Sequence, residues 1–170
     1  EVMWGIAGYV MALPLLVVGL VLTIILMSLS QLSSMGTSDG SSFQTVEEPL
    51  HPINLLMIGA DVWRYLSILL VGSVCAPIVE EFAFRGMFYR HLRGSTRRWN
   101  ILLSIAVSAL VSAFVFAAIH PQGWVTIPLL MALAVAFALL REWRGSLVAP
   151  IIAHGLSNFI VITFGILLLN

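Results

Sequence analysis

Two adjacent carboxylates and an arginine sit in a stretch otherwise fit for lipid, Val79-Glu80-Glu81-Phe82-Ala83-Phe84-Arg85-Gly86. A charge near the bilayer centre costs roughly 2.5–3.5 kcal/mol on insertion scales, so such residues usually face a protein interior and mark function. Successive helical residues are about 100° apart, so Glu80 and Glu81 point in different directions. Glu81 and Arg85 stand four apart on one face and are expected to pair. A paired charge is cheaper to bury than a lone one, so that pair reads as structural. Glu80 has no partner on its own helix and is the carboxylate available for chemistry.

Other polar groups lie inside or at the edge of apolar segments. His120 follows Phe116 by four residues at the end of one segment, and His154 precedes Asn158 by four in another. The second pair shares a helical face, about 6 Å apart. Gly155 and Ser157 beside it are small enough to let another helix approach closely. Taken singly, each has a bland reading. A His-Pro turn needs no function, and His154 with Asn158 could be interhelical hydrogen-bonding glue. His91, among arginines, reads as interfacial, His51 as a loop residue, and Cys75 as a small packing residue. Together they are harder to dismiss. Burial disfavours a charged carboxylate and so suits it to take a proton from water. An imidazole and an amide can donate hydrogen bonds to an oxyanion in a low-dielectric site. That combination is suited to hydrolysing an amide or ester within the bilayer.

The chain has 170 residues, 60% of them hydrophobic and 9% charged, with mean hydropathy +1.04. Soluble domains are about 45–50% apolar and about 25% charged. The expectation is an all-α, polytopic transmembrane helix bundle with its active site within the membrane, and no nucleic-acid partner. Trp4 to Leu29 is long enough to span, with Pro14 as an expected kink. It is too long for a signal peptide and lacks a positive n-region. Ser30 to Pro52 is a Ser/Gly-rich loop carrying Asp39, Glu47 and Glu48 and no basic residue. A long helical element is expected from Ile53 to Arg93, interrupted near its start by Asp61 and Arg64 and bent at Pro77. Further spans cover Asn100 to Ile119, Trp124 to Leu140 and Leu147 to Leu169, giving about five. Residues 1–52 thus form an N-terminal helix with its acidic loop, and 53–170 form the catalytic bundle.

Loops 90–98 and 141–144 hold six of the eight arginines, and there is no lysine. By the positive-inside rule both loops and the N-terminus are cytoplasmic, in an inner or plasma membrane. One count does not fit. Glu80 lies ten residues from Arg90, and His154 ten from Arg144, each about 15 Å deep. His120 lies 22 residues from Arg98, about 33 Å by the same rise. Strong tilt of the third span, first turns lying outside the membrane, or a reset of Glu80 by Pro77 could each reconcile them.

Glu80-Glu81-x-x-x-Arg85, Phe116-x-x-x-His120 and His154-x-x-x-Asn158 together resemble the three motifs of the CAAX-prenyl-protease and bacteriocin-processing (CPBP, or Abi) family of intramembrane glutamic endopeptidases. The resemblance covers about residues 62–165. It implies that Glu80 and His120 bind and activate a water, and that His154 and Asn158 form an oxyanion site. Glu81 with Arg85 would hold helix geometry or help bind substrate. The implied partners are the lipid bilayer and a membrane-bound protein or peptide substrate. The family usually has more than five spans, which would suit a longer chain. No cofactor is implied, although a glutamate with two histidines could hold zinc with an open position for water; no H-E-x-x-H is present. Two rival functions fit the same residues. One is a non-catalytic scaffold or immunity protein of the same fold, and the other a transporter using Glu80 and the histidines as a proton relay. Interrupted helices in repeated halves, which would favour a transporter, are missing.

Overall fold

The computed structural model describes residues 1–35 and 61–169, and every regular element in them is helical. Residues 36–52 of the acidic loop, including His51, and the expected helix start at 53–60 lie outside the described residues. Five helices are long and apolar enough to cross a membrane. They are α1 (Val2–Met35), α2 (Val62–Ser95), α3 (Ile101–Ala118), α4 (Ile127–Arg144) and α5 (Val148–Leu169). A short 3-10 turn, Trp124–Thr126, leads into α4. Large apolar side chains such as Val79, Phe82 and Val161 face outward, as lipid contact requires. The interior is lined by alanines that let helices approach closely; Ala113, Ala134, Ala138, Ala149 and Ala153 are at most 1% exposed.

Local chemistry sets the helix ends. Asp61, expected from the sequence to be part of a polar interruption, caps α2: its carboxylate accepts from the Arg64 N–H at 2.8 Å. Asn100 caps α3 by accepting from the Leu102 and Leu103 N–H groups. Gly145 ends α4 in the left-handed conformation, φ 66°, where a side chain would be strained. Helix α1 runs through Pro14 without interruption.

Helix α2 carries two π turns, Val71–Cys75 and Phe82–Phe88, on either side of the Glu80-Glu81 pair. The first lies just before Pro77, which has no N–H to give. The Ala76 N–H bonds the Val71 carbonyl, five residues back instead of four. Cys75, in this turn, is exposed rather than packed inside.

Helices α2 and α3 form an antiparallel hairpin whose register explains the depth mismatch. Thr96 Oγ1 lies 2.6 Å from Ser104 Oγ. Tyr89 clusters with Ala109, and Phe84 meets Phe116 edge-on at 5.0 Å. Counted from the Thr96–Ser104 contact, Glu80 and His120 are both 16 residues away (96 − 80 and 120 − 104). At 1.5 Å per residue both lie about 24 Å from it. Measuring Glu80 from Arg90 understates its depth, because α2 continues to Ser95 and the first turn of α3 lies beside that extension.

The remaining helices close the bundle. Arg93 pairs with Glu142 at 2.9 Å, placing loops 90–98 and 141–144 at one end. Arg144 pairs with Glu1 at 2.9 Å, and Trp4 meets Trp143 at 5.2 Å, so the start of α1 lies at that end too. Helix α1 runs antiparallel to α4, with Gly8 against Leu140 and Gly19 against Ala132. Helix α5 runs antiparallel to α2, with Ile68 packed against Ile162.

Candidate active site

The side chains from α2, the end of α3 and α5 meet around one carboxylate oxygen. Glu80 Oε2 lies 3.9 Å from His120 Nε2 and 3.7 Å from His154 Nε2. Both separations exceed hydrogen-bond length and suit a single bridging oxygen. Among the described residues Glu80 Oε2 has no hydrogen-bond partner, although the atom is buried. The Glu80 side chain as a whole is 31% exposed and His120 19%, so the site opens to one side.

Each imidazole is held by its far nitrogen. His120 Nδ1 lies 2.5 Å from the Phe116 carbonyl, one turn back on its own segment. A carbonyl only accepts, so Nδ1 carries the proton and the neutral ring presents a lone pair from Nε2. The Phe116 ring also packs on His120, with centroids 4.2 Å apart. This gives the four-residue spacing of Phe116 and His120 a physical purpose: the last turn of α3 sets both tautomer and aim. His154 is buried, stacked on Phe137 at 4.9 Å, with Nδ1 2.8 Å from Glu81 Oε1. Its Nε2 therefore also points toward Glu80.

Glu81 does more than the expected pairing. The same Oε1 accepts from Arg85 at 2.8 Å and from His154 Nδ1 at 2.8 Å. Arg85 in turn donates to the Ala134 carbonyl of α4 at 2.9 Å, and its guanidinium lies 4.9 Å from the Phe116 ring and 5.4 Å from Phe137. Both charged groups are almost wholly buried, Glu81 at 0% and Arg85 at 1% exposure. One carboxylate thus ties α2 to α4 through Arg85 and to α5 through His154. Four-residue spacing signals the first link in the sequence; nothing signals the second, which spans 73 residues.

Asn158 is engaged elsewhere. Its Nδ2 donates to the Gly72 carbonyl in the first π turn at 2.8 Å. Gly155 sits against the same turn: a Cβ there would lie 2.5 Å from the Ser73 carbonyl oxygen. The close helix approach expected at Gly155 is thus made against α2. Pro77, Gly72 and Phe137 belong to the support of this site; of these, only Pro77 stands out in the sequence, as a bend.

The arrangement can hold a water between a carboxylate and an imidazole, with a second imidazole facing the same point. Among the described residues, no group of three or more His, Cys, Asp or Glu side chains is disposed to hold a metal ion.

Comparison with known proteins agrees with these motifs. Residues 62–160 match the family model described as type II CAAX prenyl endopeptidase Rce1-like. The chain is 30% identical over 95 residues to the membrane-embedded CAAX protease MroQ of Staphylococcus aureus (strain USA300). That match covers 56% of this chain and 38% of the relative, so the chain spans well under half of that protein's length. No solved structure matches. The matched region contains Glu80, Glu81, Arg85, His120, His154 and Asn158, and covers more than half of the chain; the chain belongs to the Rce1-like family of type II CAAX prenyl endopeptidases.

Proposed function

We propose that this protein is an intramembrane endopeptidase that hydrolyses a peptide bond in a membrane-associated protein or peptide, using water activated by Glu80 and His120. The observation that carries this reading is the convergence of two Nε2 atoms on Glu80 Oε2. A carboxylate left without a donor in an apolar bundle is costly, and water activation gives it a use. A non-catalytic scaffold would have no use for it.

In the proposed reaction a water sits between Glu80 Oε2 and His120 Nε2. Glu80 takes one proton as the water oxygen bonds the scissile carbonyl carbon. The resulting oxyanion is met by His154, whose Nε2 donates when the ring is doubly protonated. Glu81, on Nδ1, compensates the charge of that form and fixes the ring orientation, as the carboxylate does in a Ser-His-Asp triad. When the C–N bond breaks, the proton on Glu80 passes to the leaving amine, giving an acid and an amine from one water. No metal is needed in this route. Glu81 and Arg85 position His154 and the helix. The family name points to prenylated proteins ending in a CAAX sequence as the first substrate class to test. On the positive-inside rule we assign the arginine-rich end to the cytoplasmic side of an inner or plasma membrane.

The deciding experiment is cleavage of a membrane-anchored reporter by purified protein in lipid nanodiscs. Glu80→Gln should slow cleavage by about 10²–10⁴-fold while insertion and helix content stay unchanged; full activity in that variant would overturn the reading. Elemental analysis of the same preparation tests the metal-free route, which stoichiometric zinc lost together with activity on chelation would replace.

A further inference from the structure

The first π turn of α2 takes from the Gly72 carbonyl the donor that an α-helix would give it. In an α-helix the Gly72 carbonyl would accept from the Ala76 N–H, but that N–H bonds Val71 instead. The next donor along, five residues on, would be residue 77, and Pro77 has none. An unpaired carbonyl in a bilayer-spanning segment costs several kcal/mol in hydrocarbon. Asn158 of α5 supplies the missing donor at 2.8 Å.

Three neighbouring contacts hold α5 on α2 at this turn and beside it. Asn158 bonds Gly72, Gly155 packs directly on the Ser73 carbonyl, and His154 bonds Glu81. A π turn adds a residue to the ladder and so rotates the rest of the helix by about 100°. The turn at Val71–Cys75 therefore sets the direction in which Glu80, three residues past Pro77, leaves the helix.

We propose that Asn158 is a positioning residue: it replaces the hydrogen bond that Pro77 withholds from Gly72, and thereby locks the π turn that aims Glu80 at the two histidines. This deepens the endopeptidase reading and rests on it for its catalytic consequence. It also departs from the role implied by the family resemblance, in which Asn158 touches the oxyanion.

The two roles separate in a rescue experiment. Asn158→Leu removes the donor while keeping the side chain's branched heavy-atom skeleton. Pro77→Ala restores an N–H at the position from which Gly72 can accept, making Asn158 dispensable if its work is done on α2. Cleavage by Asn158→Leu should fall by about ten- to a hundredfold in kcat. The double variant Pro77→Ala/Asn158→Leu should return to within about twofold of Pro77→Ala alone. Amide hydrogen exchange across residues 68–81 of the folded protein in nanodiscs supplies a readout independent of activity. It should quicken in Asn158→Leu and slow again in the double variant. Pro77→Ser carries the same N–H and serves if Pro77→Ala accumulates poorly.

A double variant as inactive as Asn158→Leu would overturn the proposal in favour of direct contact with substrate. Exchange unchanged by Asn158→Leu would overturn it as well. If wild-type protein cleaves no substrate, the endopeptidase reading falls, while the exchange pattern still decides whether Asn158 locks the turn.

Discussion

Two clusters of charge tie these helices together. At the arginine end, Glu142 accepts from Tyr89 at 2.8 Å and from Arg93 at 2.9 and 3.2 Å, so both carboxylate oxygens have donors. In the middle of α2, Glu81 is held through one oxygen only, Oε1, by Arg85 and His154, and the buried Oε2 atoms of both Glu81 and Glu80 have no donor within hydrogen-bond reach among the described residues. The arginine-end cluster is partly exposed and the α2 cluster's ion pair is buried. A carboxylate bound by a guanidinium and an imidazole ties helices together; one bound by neither, with two oriented imidazoles 3.7 and 3.9 Å from its Oε2, is placed to react. The difference separates structure from chemistry within a pair of neighbouring residues.

Substitutions in the two clusters should differ in kind as well as in size. The largest effect is expected at Glu80: Glu80→Gln should cost about 10²–10⁴-fold in cleavage rate, with thermal stability in detergent essentially unchanged. Next is Glu81, whose loss strands Arg85 without its partner charge. Glu81→Gln should destabilise the protein by about 3–5 kcal/mol and also depress cleavage, because His154 loses its anionic anchor. Glu81→Leu/Arg85→Leu separates these two roles. Removing both charges should recover much of the stability without recovering cleavage, and recovery of both would show that Glu81 does nothing for His154.

A smaller effect is expected from Gly155→Ala, whose Cβ would meet the Ser73 carbonyl oxygen at 2.5 Å. Pushing α5 off α2 should cost about 1–3 kcal/mol, read as a lowered melting temperature, with a parallel fall in cleavage. The smallest belongs to the arginine end. Glu142→Gln should cost about 1 kcal/mol or less, because Glu142 and Arg93 are 29% and 21% exposed and solvent screens them. Cleavage should be nearly unaffected; a large loss there would erase the distinction between the two clusters.

Much of the fold is legible in the chain. The five apolar segments correspond to five helices; Asn100 begins its helix as expected, whereas the loop expected from Ser30 is still helical to Met35, and residues 53–60 lie outside the described ones. The Glu81–Arg85 pair follows from spacing, because partners four apart on a helix meet whatever surrounds them. The closeness of His120 to Glu80 is not legible. Counting depth from the arginines treats them as a membrane surface, whereas the hairpin is registered by Thr96 against Ser104. Glu81's bond to His154 and Asn158's bond to Gly72 also have no signal in local spacing, joining residues 73 and 86 apart.

Hydropathy and four-residue spacing act locally, so the amino-acid order alone establishes the class of molecule and the chemical types at the site. It puts a lone carboxylate, two histidines and an asparagine on apolar helices. Which of them meet is a matter of tertiary packing. That choice depends on interhelical register, which is set by small residues where backbones touch and by a proline that withholds one N–H. The side chain that makes good the loss comes from the last helix, 86 residues along the chain from the carbonyl it serves.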